Sequence, residues 1–434
     1  MIINSIGLKN FTVFEDFNID VSSNINIFIG ENGTGKTNLL KAIYAASEIS
    51  RNHSKSVDIL HRCFKNNGLV SLSRNNINTT VDIFLRDNSY DKECIATVIS
   101  APTIRIIQNT SASVSEKSLS NYDESKVRSD SYQIHLPQNA SLLATFIPSK
   151  DMLTHSSGLL AMSDKYREFP FDITLTEIIR KANQWTLKQP PKLARSILPQ
   201  LEEMIDGKIV IKNEEFFIVK NDGREINFAV EAEGFKKIGL LWQLLMNESI
   251  TPNSILIWDE PEANLNPAFI PKLVECLIEL SRNNVQIFLS THNYILAKYF
   301  NVKASDSDSI MFHGLYKINN SVQCESNENF AALKHNAIIR VFDEFYLQIF
   351  CAEGIRSKQA AVLFPVDIFK GKHYVLIARP CPSRPVHLPV LVRFEFCCLP
   401  CGLAVSLSAE LDDDALNRLA AVCCLDFSCY FESR

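Results

Sequence analysis

The stretch INIFIGENGTGKTNLLKAIYAA, Ile25 to Ala46, decides how the rest of the chain is read. INIFI is a short apolar run that suits a buried strand. NLLKAIYAA carries apolar residues at helical spacing. Between them GENGTGKT, Gly30 to Thr37, fits the GxxxxGK[ST] pattern. A glycine-rich turn between a strand and a helix points successive backbone N–H groups and a positive helix end at one spot, which suits phosphates. Gly30, Glu31, Asn32, Gly33, Thr34, Gly35, Lys36, Thr37 and Asn38 are then expected to line a nucleotide. Lys36 would reach the β- and γ-phosphates, and the Thr37 hydroxyl would ligate Mg²⁺. The competing reading, an ordinary glycine turn with an exposed lysine, does not use the flanking strand and helix.

A second constellation is SILIWDEPEANLNP, Ser254 to Pro267. The apolar run Ile255 to Trp258 reads as a buried strand that delivers Asp259 and Glu260 to its carboxyl end, where open α/β sheets bind ligands. Asp259 is expected to hold the Mg²⁺ shell, and Glu260 to orient and polarise the water that attacks the γ-phosphate. Asn266 and Pro267 read as an N-cap and first-turn proline of the next helix. A strand end carrying two solvated carboxylates is the blander alternative. In QIFLSTHNY, Gln286 to Tyr294, another apolar strand ends at Ser290, Thr291 and His292. His292 is placed to hydrogen-bond the γ-phosphate or the attacking water. The other eight histidines lack such a context and read as satisfied or exposed structural residues.

The chain has 434 residues, enough for two or three domains with a sizeable core. Hydrophobic residues make up 46% and charged residues 21%, which excludes bulk disorder. A net charge of -5 gives no global positive field to gather nucleic acid or anionic lipid, so any such contact must be local. MIINSIGLKNF has no basic stretch followed by a long apolar run, so a cytoplasmic location is expected. The most apolar window, Phe396 to Val405, is far short of the roughly 20 residues of a membrane helix. Twelve cysteines are expected to stay reduced, and eight of them follow Ile349.

Strands are expected over Asn26 to Ile29, Val81 to Leu85, Ile95 to Ile99, Ile255 to Trp258 and Val285 to Leu289. Helices are expected over Lys36 to Ser50, Pro191 to Ile205, Phe235 to Met246, Pro267 to Leu280 and Tyr294 to Phe300. The alternation implies an α/β protein with a largely parallel sheet wrapped on both faces. Residues 109–133 are serine-rich and polar and read as a flexible insert. No heptad or internal repeat is evident.

Together the three motifs resemble the ATPase head of ABC, SMC and RecF-like proteins. The opening IINSIGLKNFTVFEDFNIDVSSNINIFIGENGTGKTNLLKAI is similar to the start of RecF/SMC-type and OLD-like ATPases. FIPSK at Phe146, VEAEGFKKIGLL at Val230, WDEPEANLNP and IFLSTHNYILAKYF follow in the order of stand-alone bacterial AAA/ABC-type ATPases, including those of Septu- and retron-type antiphage systems and an AbiEii-like group. The resemblance implies a P-loop NTPase of ABC-ATPase type over residues 1–345. Its parts are a mainly parallel central sheet, an antiparallel N-terminal β-subdomain and a helical, signature-bearing region at about 175–250. It also implies ATP and Mg²⁺ as ligands and an ATP-dependent head-to-tail pair of copies. In such pairs a serine- and glycine-bearing helix start contacts the phosphate held by the partner. Here that stretch is Ala232, Glu233, Gly234, then Lys236 and Lys237, without the serine. Gly234 and the helix end could still present N–H groups to phosphate, with Lys236 or Lys237 compensating for Glu233. An amphipathic helix with a core face of Phe235, Ile238, Leu241 and Leu245 is the equal alternative.

Residues 346–434 form a Cys-rich tail. FYLQIFCAEG with Asp412 and Asp414 could open a metal-dependent Toprim nuclease domain, but the stretch is short for one, and Asp412 to Asp414 suit the start of a helix at ALNRLAAV. Cys398, Cys401, Cys424 and Cys429 raise a zinc site, with the two-residue gap present only in the first pair. Three functional classes follow. The first is an ATP-hydrolysing switch that pairs with itself on ATP and controls a separate effector nuclease or toxin in antiphage defence. The second is a RecF/SMC-like DNA repair ATPase that binds DNA. The third, a transporter's nucleotide-binding subunit, is opposed by the missing signature serine and the RecF-like amino terminus, and no membrane contact is expected.

Overall fold

The computed structural model describes residues 2–51, 56–64, 79–87, 90–100, 103–109, 132–133, 142–166, 169–319, 321–342, 345, 362–367, 373–380, 390–398 and 403–411. The chain divides into two compact units, Met1–Ile339 and Arg340–Arg434.

The first unit opens with strands β1 (Ile2–Phe11), β2 (Phe14–Asp20) and β3 (Ile25–Gly30), then helices α1 (Lys36–Arg51) and α2 (Ser56–Phe64). Strands β4 (Thr79–Asp87), β5 (Tyr90–Ser100), β6 (Thr103–Asn109), β7 (Tyr132–Gln133) and β8 (Ala144–Ile147) follow. Next come α3 (Leu159–Lys165), α4 (Ile173–Ala182), α5 (Leu198–Ile205), β9 (Gly207–Lys212), β10 (Glu215–Lys220), β11 (Glu225–Asn227) and α6 (Glu233–Met246). The unit closes with β12 (Ile255–Asp259), α7 (Ile270–Arg282), β13 (Gln286–Thr291), α8 (Tyr294–Lys303), β14 (Ile310–Ile318) and β15 (Ser321–Asn327).

The central sheet has the order β15-β14-β3-β13-β12-β8, parallel throughout except for the edge hairpin β14–β15. Strands β3, β12 and β13 are buried at every position, as expected of strands covered on both faces. A second sheet, β2-β1-β4-β5-β6-β7, is antiparallel apart from its last pair. A three-stranded antiparallel sheet, β11-β10-β9, accompanies the helices of the 150–250 region. The fold is thus α/β, with the mainly parallel central sheet, antiparallel N-terminal sheet and helical region expected. The segments Val81 to Leu85 and Ile95 to Ile99 lie in the antiparallel sheet and pair with each other, so helix alternation applies to β3, β12 and β13 and not to them.

Helix α1 lies in one apolar cluster with both sheets. Its Leu39, Leu40, Ile43, Tyr44 and Ile49 join Ile3, Ile6 and Phe11 of β1 and Ile255, Ile257 and Phe288 of the central sheet. A helix buried on nearly all sides explains why its sequence is apolar beyond a single stripe. The two sheets are tied by Gln286, which is 2% exposed. Its side-chain oxygen accepts from the Ile3 amide at 2.8 Å, and its amide nitrogen donates to the carbonyls of Ile3 at 2.7 Å and Ser22 at 2.8 Å. Gln286→Ala removes this partner from the buried amide and carbonyl of Ile3, while Ser22 O keeps Asn26 Nδ2 at 2.8 Å; at about 1–3 kcal/mol for each stranded group the cost is about 2–4 kcal/mol after relaxation. Thermal denaturation is expected to show a melting point several degrees lower; an unchanged one contradicts the tie.

The helix expected over Pro191 to Ile205 begins only at Leu198. Residues 192–197 are turns, with Ala194 N–H donating to Pro191 and Ile197 N–H to Ala194. Pro199 is the physical reason: it has no N–H to continue a helix through its own position and is accepted only in a first turn. Asn266 caps the following turn as expected, its side chain accepting from Ala268 N–H at 3.0 Å, although that turn is 3₁₀ over Pro267–Phe269 before α7 starts. Of the serine-rich insert 109–133, Asn109 ends β6 and Tyr132–Gln133 form β7, while 110–131 lie outside the described residues.

In the second unit, β16 (Val362–Asp367), β17 (His373–Pro380), β18 (Val390–Cys398) and β19 (Leu403–Leu411) form an antiparallel meander. FYLQIFCAEG after Phe345, Cys401, and everything from Asp412 onward, including Asp414, Cys424 and Cys429, lie outside the described residues. Cys398 ends β18.

Candidate nucleotide site

The loop between β3 and α1 is shaped by two glycines with positive φ, Gly33 at 75° and Gly35 at 86°. At Gly35 any side chain is excluded: a Cβ would lie 2.6 Å from Val13 Cγ2 and 2.8 Å from Phe14 Cζ at the β1–β2 turn. The loop therefore passes close against Val13 and Phe14, which leaves no room for a side chain at Gly35. Thr34 Oγ1 donates to Glu31 O at 2.8 Å and braces the curve. Lys36 is 6% exposed, and its ammonium donates to Gly30 O at 2.8 Å and Glu31 O at 3.0 Å. Burial lowers its pKa to about 8 against the opposing pull of Glu260 and then Asp259. An ammonium held this way is costly to keep charged and gains from an arriving anion.

Strand β12 ends beside this loop. Thr37 Oγ1 donates to Asp259 at 3.0 Å (Oδ2) and 3.3 Å (Oδ1), and Ser290 Oγ donates to Asp259 Oδ1. Glu260, the next residue, has φ at 51°, a left-handed conformation that costs a non-glycine residue about 1–2 kcal/mol. Its carboxylate Oε1 lies 3.5 Å from His292 Nε2, both side chains being 36% exposed. Burial, followed by the charge of Lys36, holds His292 below the ordinary histidine value in spite of Glu260 and Asp259. It is therefore neutral near pH 7. Asn293 caps α8 by accepting from Leu296 N–H at 3.0 Å, which fixes where the chain turns after His292.

Lys36, Thr37, Asp259, Glu260 and His292 are thus brought to one place from three segments, 30–38, 259–260 and 290–292. Gly30 to Asn38 all lie on or just inside the loop and α1. The residues fit a magnesium triphosphate: glycines that tolerate no Cβ, a buried ammonium aimed at the loop, and a hydroxyl paired with a carboxylate. Among the described residues no group of three or more histidine, cysteine or acidic side chains could hold a metal ion; Thr37 and Asp259, a hydroxyl and a carboxylate 3.0 Å apart beside the loop, are the pair that suits Mg²⁺. Gly234 is the second residue of α6 and is buried against the loop after β12; a Cβ there would lie 2.8 Å from Asn264 O and 3.2 Å from Leu265 Cα. Lys236 compensates Glu233 at 2.7 Å, and Lys237 turns inward.

Two residues, Glu262 and Lys317, belong to this site without having been singled out, and a third, Lys237, was expected only to compensate Glu233. Glu262 is 9% exposed; its Oε1 accepts from Thr291 Oγ1 at 2.6 Å and His292 N–H at 3.3 Å, and burial raises its pKa. It stands in the quoted DEPE run, and an additional carboxylate two residues past Glu260 was the available signal. Lys237 donates from α6 to Glu260 O at 3.0 Å. Lys317 of β14 places Nζ 3.3 Å from where a Gly33 Cβ would be, and its ammonium pairs with no carboxylate among the described residues. Nothing local in the sequence marks it, because only the β14–β3 pairing brings it to the loop. His313, in contrast, is a satisfied core residue, with Nδ1 2.7 Å from Ser326 Oγ, Nε2 3.2 Å from Asn26 Oδ1, and a pKa lowered to about 3 by burial.

The chain is similar to the DNA replication and repair protein RecF of Clostridium botulinum, 38% identical over 92 residues, which are 20% of this chain and 25% of that protein. RecF of Clostridium tetani is 47% identical over 58 residues, 13% of this chain and 16% of that one. The chain thus spans about a quarter or less of these relatives' length. The SMC head domain from Thermotoga maritima aligns at a TM-score of 0.43 and 16% identity, covering 75% of this chain and 99% of that one. An Smc head domain derived from Pyrococcus furiosus, bound to the C-terminal domain of ScpA, aligns at 0.46 and 11%, covering 82% and 100%. Among the described residues no helix is long and apolar enough to cross a membrane. Residues 25–297, which contain the loop, both carboxylates and His292, match the family described as "AAA domain, putative AbiEii toxin, Type IV TA system", and the chain belongs to that family.

Proposed function

We propose that the protein binds ATP with Mg²⁺ at the 30–37 loop and hydrolyses it to ADP and phosphate. The observation that carries this reading is the meeting of Lys36 and Thr37 with Asp259, Glu260 and His292. Lys36 and the loop amides hold the β- and γ-phosphates. Thr37 and Asp259 would hold Mg²⁺, whose charge offsets that of the triphosphate. Glu260 accepts the proton of the attacking water, and neutral His292 donates a hydrogen bond that orients the water or the γ-phosphate.

Hydrolysis serves a switch. Two copies associate head to tail on ATP, with the α6 start of one, at Gly234, facing the nucleotide of the other. ATP binds the closed pair better and shifts the equilibrium toward it by that difference in affinity. Membership of a family described by a toxin system supports control of a separate effector nuclease or toxin, in the manner of antiphage ATPases. The stretch shared with RecF supports a second reading, a DNA repair ATPase that binds duplex DNA. Hydrolysis measured with and without duplex DNA, with particle mass followed in parallel, separates them. The switch reading predicts ATP-dependent doubling of mass and a DNA-independent rate. Salt-sensitive DNA binding that requires ATP would favour the second, and hydrolysis without any change of mass would contradict the paired mechanism.

A further inference from the structure

The chain leaves β12 through a turn that Glu260 takes at φ 51°, and something must hold that conformation. On the amide side Glu260 N–H donates to Ser290 O at 3.2 Å and lies 3.3 Å from Ser290 Oγ. On the carbonyl side Glu260 O accepts from Ala263 N–H at 3.1 Å and from Lys237 Nζ at 3.0 Å. Lys237 reaches this point from α6 and is 4% exposed. Burying an ammonium is expensive unless it is bonded, and this one makes no ion pair within 4.0 Å among the described residues. Its neighbour Lys236 has taken Glu233, at 2.7 Å, so Lys237 is not needed to neutralise the helix start. One turn before it on the same face, Gly234 lies against Asn264 and Leu265. The α6 start therefore touches the loop after β12 at two points: a close backbone contact and a charged donor on the residue that carries the carboxylate.

We infer that Lys237 is a positioning residue acting within its own chain: its ammonium holds the Glu260 carbonyl and so fixes the turn that aims the Glu260 carboxylate toward His292. The inference rests on the proposed hydrolysis at this site and adds a determinant to it. Lys237 does not reach toward a nucleotide held by a second copy, because it is turned into its own chain and buried there. Without the ammonium the left-handed turn loses one of its two carbonyl-side donors, and the carboxylate spends less time in reach of its proton. A misplacement on the scale of an ångström slows a reaction by about 100-fold. Nucleotide affinity is set by Lys36 and the loop amides and is left alone.

Lys237→Met keeps the apolar stem and deletes the donor. It is expected to lower the hydrolysis rate at saturating ATP about 10- to 100-fold while ATP affinity stays within about twofold and the melting temperature does not fall. Lys237→Arg, which restores a donor on a stem of similar reach, is expected to recover most of the loss. Mixing Lys237→Met with Lys36→Ala gives the decisive arm. In a head-to-tail pair the first chain supplies an intact loop and the second an intact Lys237 in trans, and no rate is expected to return. Recovery toward about a quarter of the parental rate, which random pairing of an equal mixture allows, a parental rate for Lys237→Met alone, an equal fall in ATP affinity, or an arginine variant no faster than the methionine one would each overturn the inference. The parental rate measured alongside separates the cases: a parental chain without hydrolysis refutes the proposed function itself.

Discussion

Glu260→Gln should lower hydrolysis by about 100- to 10,000-fold, the range expected when a general base is removed, and leave ATP affinity close to parental. Glutamine has nearly the same shape and can sit in the same turn, so the Ser290 and Lys237 contacts to the backbone of position 260 persist. What is lost is the capacity to accept a proton. The charge next to His292, 3.5 Å away, disappears as well. Because binding outlasts hydrolysis, the variant should accumulate an ATP-loaded pair of chains, visible as a doubled mass in ATP that falls back on washing to ADP. A variant that hydrolyses at the parental rate would remove Glu260 from its assigned role. The carboxylate 3.5 Å from the histidine would then be structural.

Lys36→Ala should weaken ATP binding by about 100-fold, equivalent to about 3 kcal/mol at the upper end for a hydrogen bond to a charged group. The side chain is buried and held by Gly30 O and Glu31 O, so its ammonium already stands inside the loop where a phosphate would arrive. Burial makes the loop a poor solvent for the charge and lowers its pKa to about 8. Removing the charge therefore relieves a cost in the free protein while forfeiting a contact in the complex. The expected signature is lost affinity without a lower melting temperature. A simultaneous collapse of stability would mean that the lysine holds the loop together. Unchanged affinity would mean that the loop does not bind phosphate. Fluorescent-nucleotide titration and a melting curve on the same sample distinguish these outcomes.

The parts of this molecule that could be read from the chain are those in which local pattern and local structure coincide. INIFI, GENGTGKT and NLLKAIYAA are contiguous, and the strand and helix expected over Asn26 to Ile29 and Lys36 to Ser50 match β3 and α1 to within one residue at each end. Trp258 and Leu289 precede strand ends for the same reason: continuous apolar runs have few places to go but the middle of a parallel sheet. Apolar spacing alone failed over Pro191 to Ile197, where Pro199 overrules it, and it could not say which sheet Val81 to Leu85 joins, since strand pairing is settled by distant partners. The polar residues that position the site were the least legible. Gln286 joins Ile3 across 283 positions, Lys237 meets Glu260 across 23, and Lys317 comes to Gly33 only through the β14–β3 pairing. Their patterns are ordinary; their partners are not nearby in sequence.

The central claim is that three segments close around one magnesium triphosphate, and calorimetric titration of the full chain with ATP, with and without Mg²⁺, tests it most directly. The account predicts one nucleotide bound per chain, with affinity that drops when Mg²⁺ is withheld and drops in the same way for Asp259→Asn even when Mg²⁺ is present. Absence of ATP binding at millimolar concentrations, or binding indifferent both to Mg²⁺ and to Asp259, would contradict it.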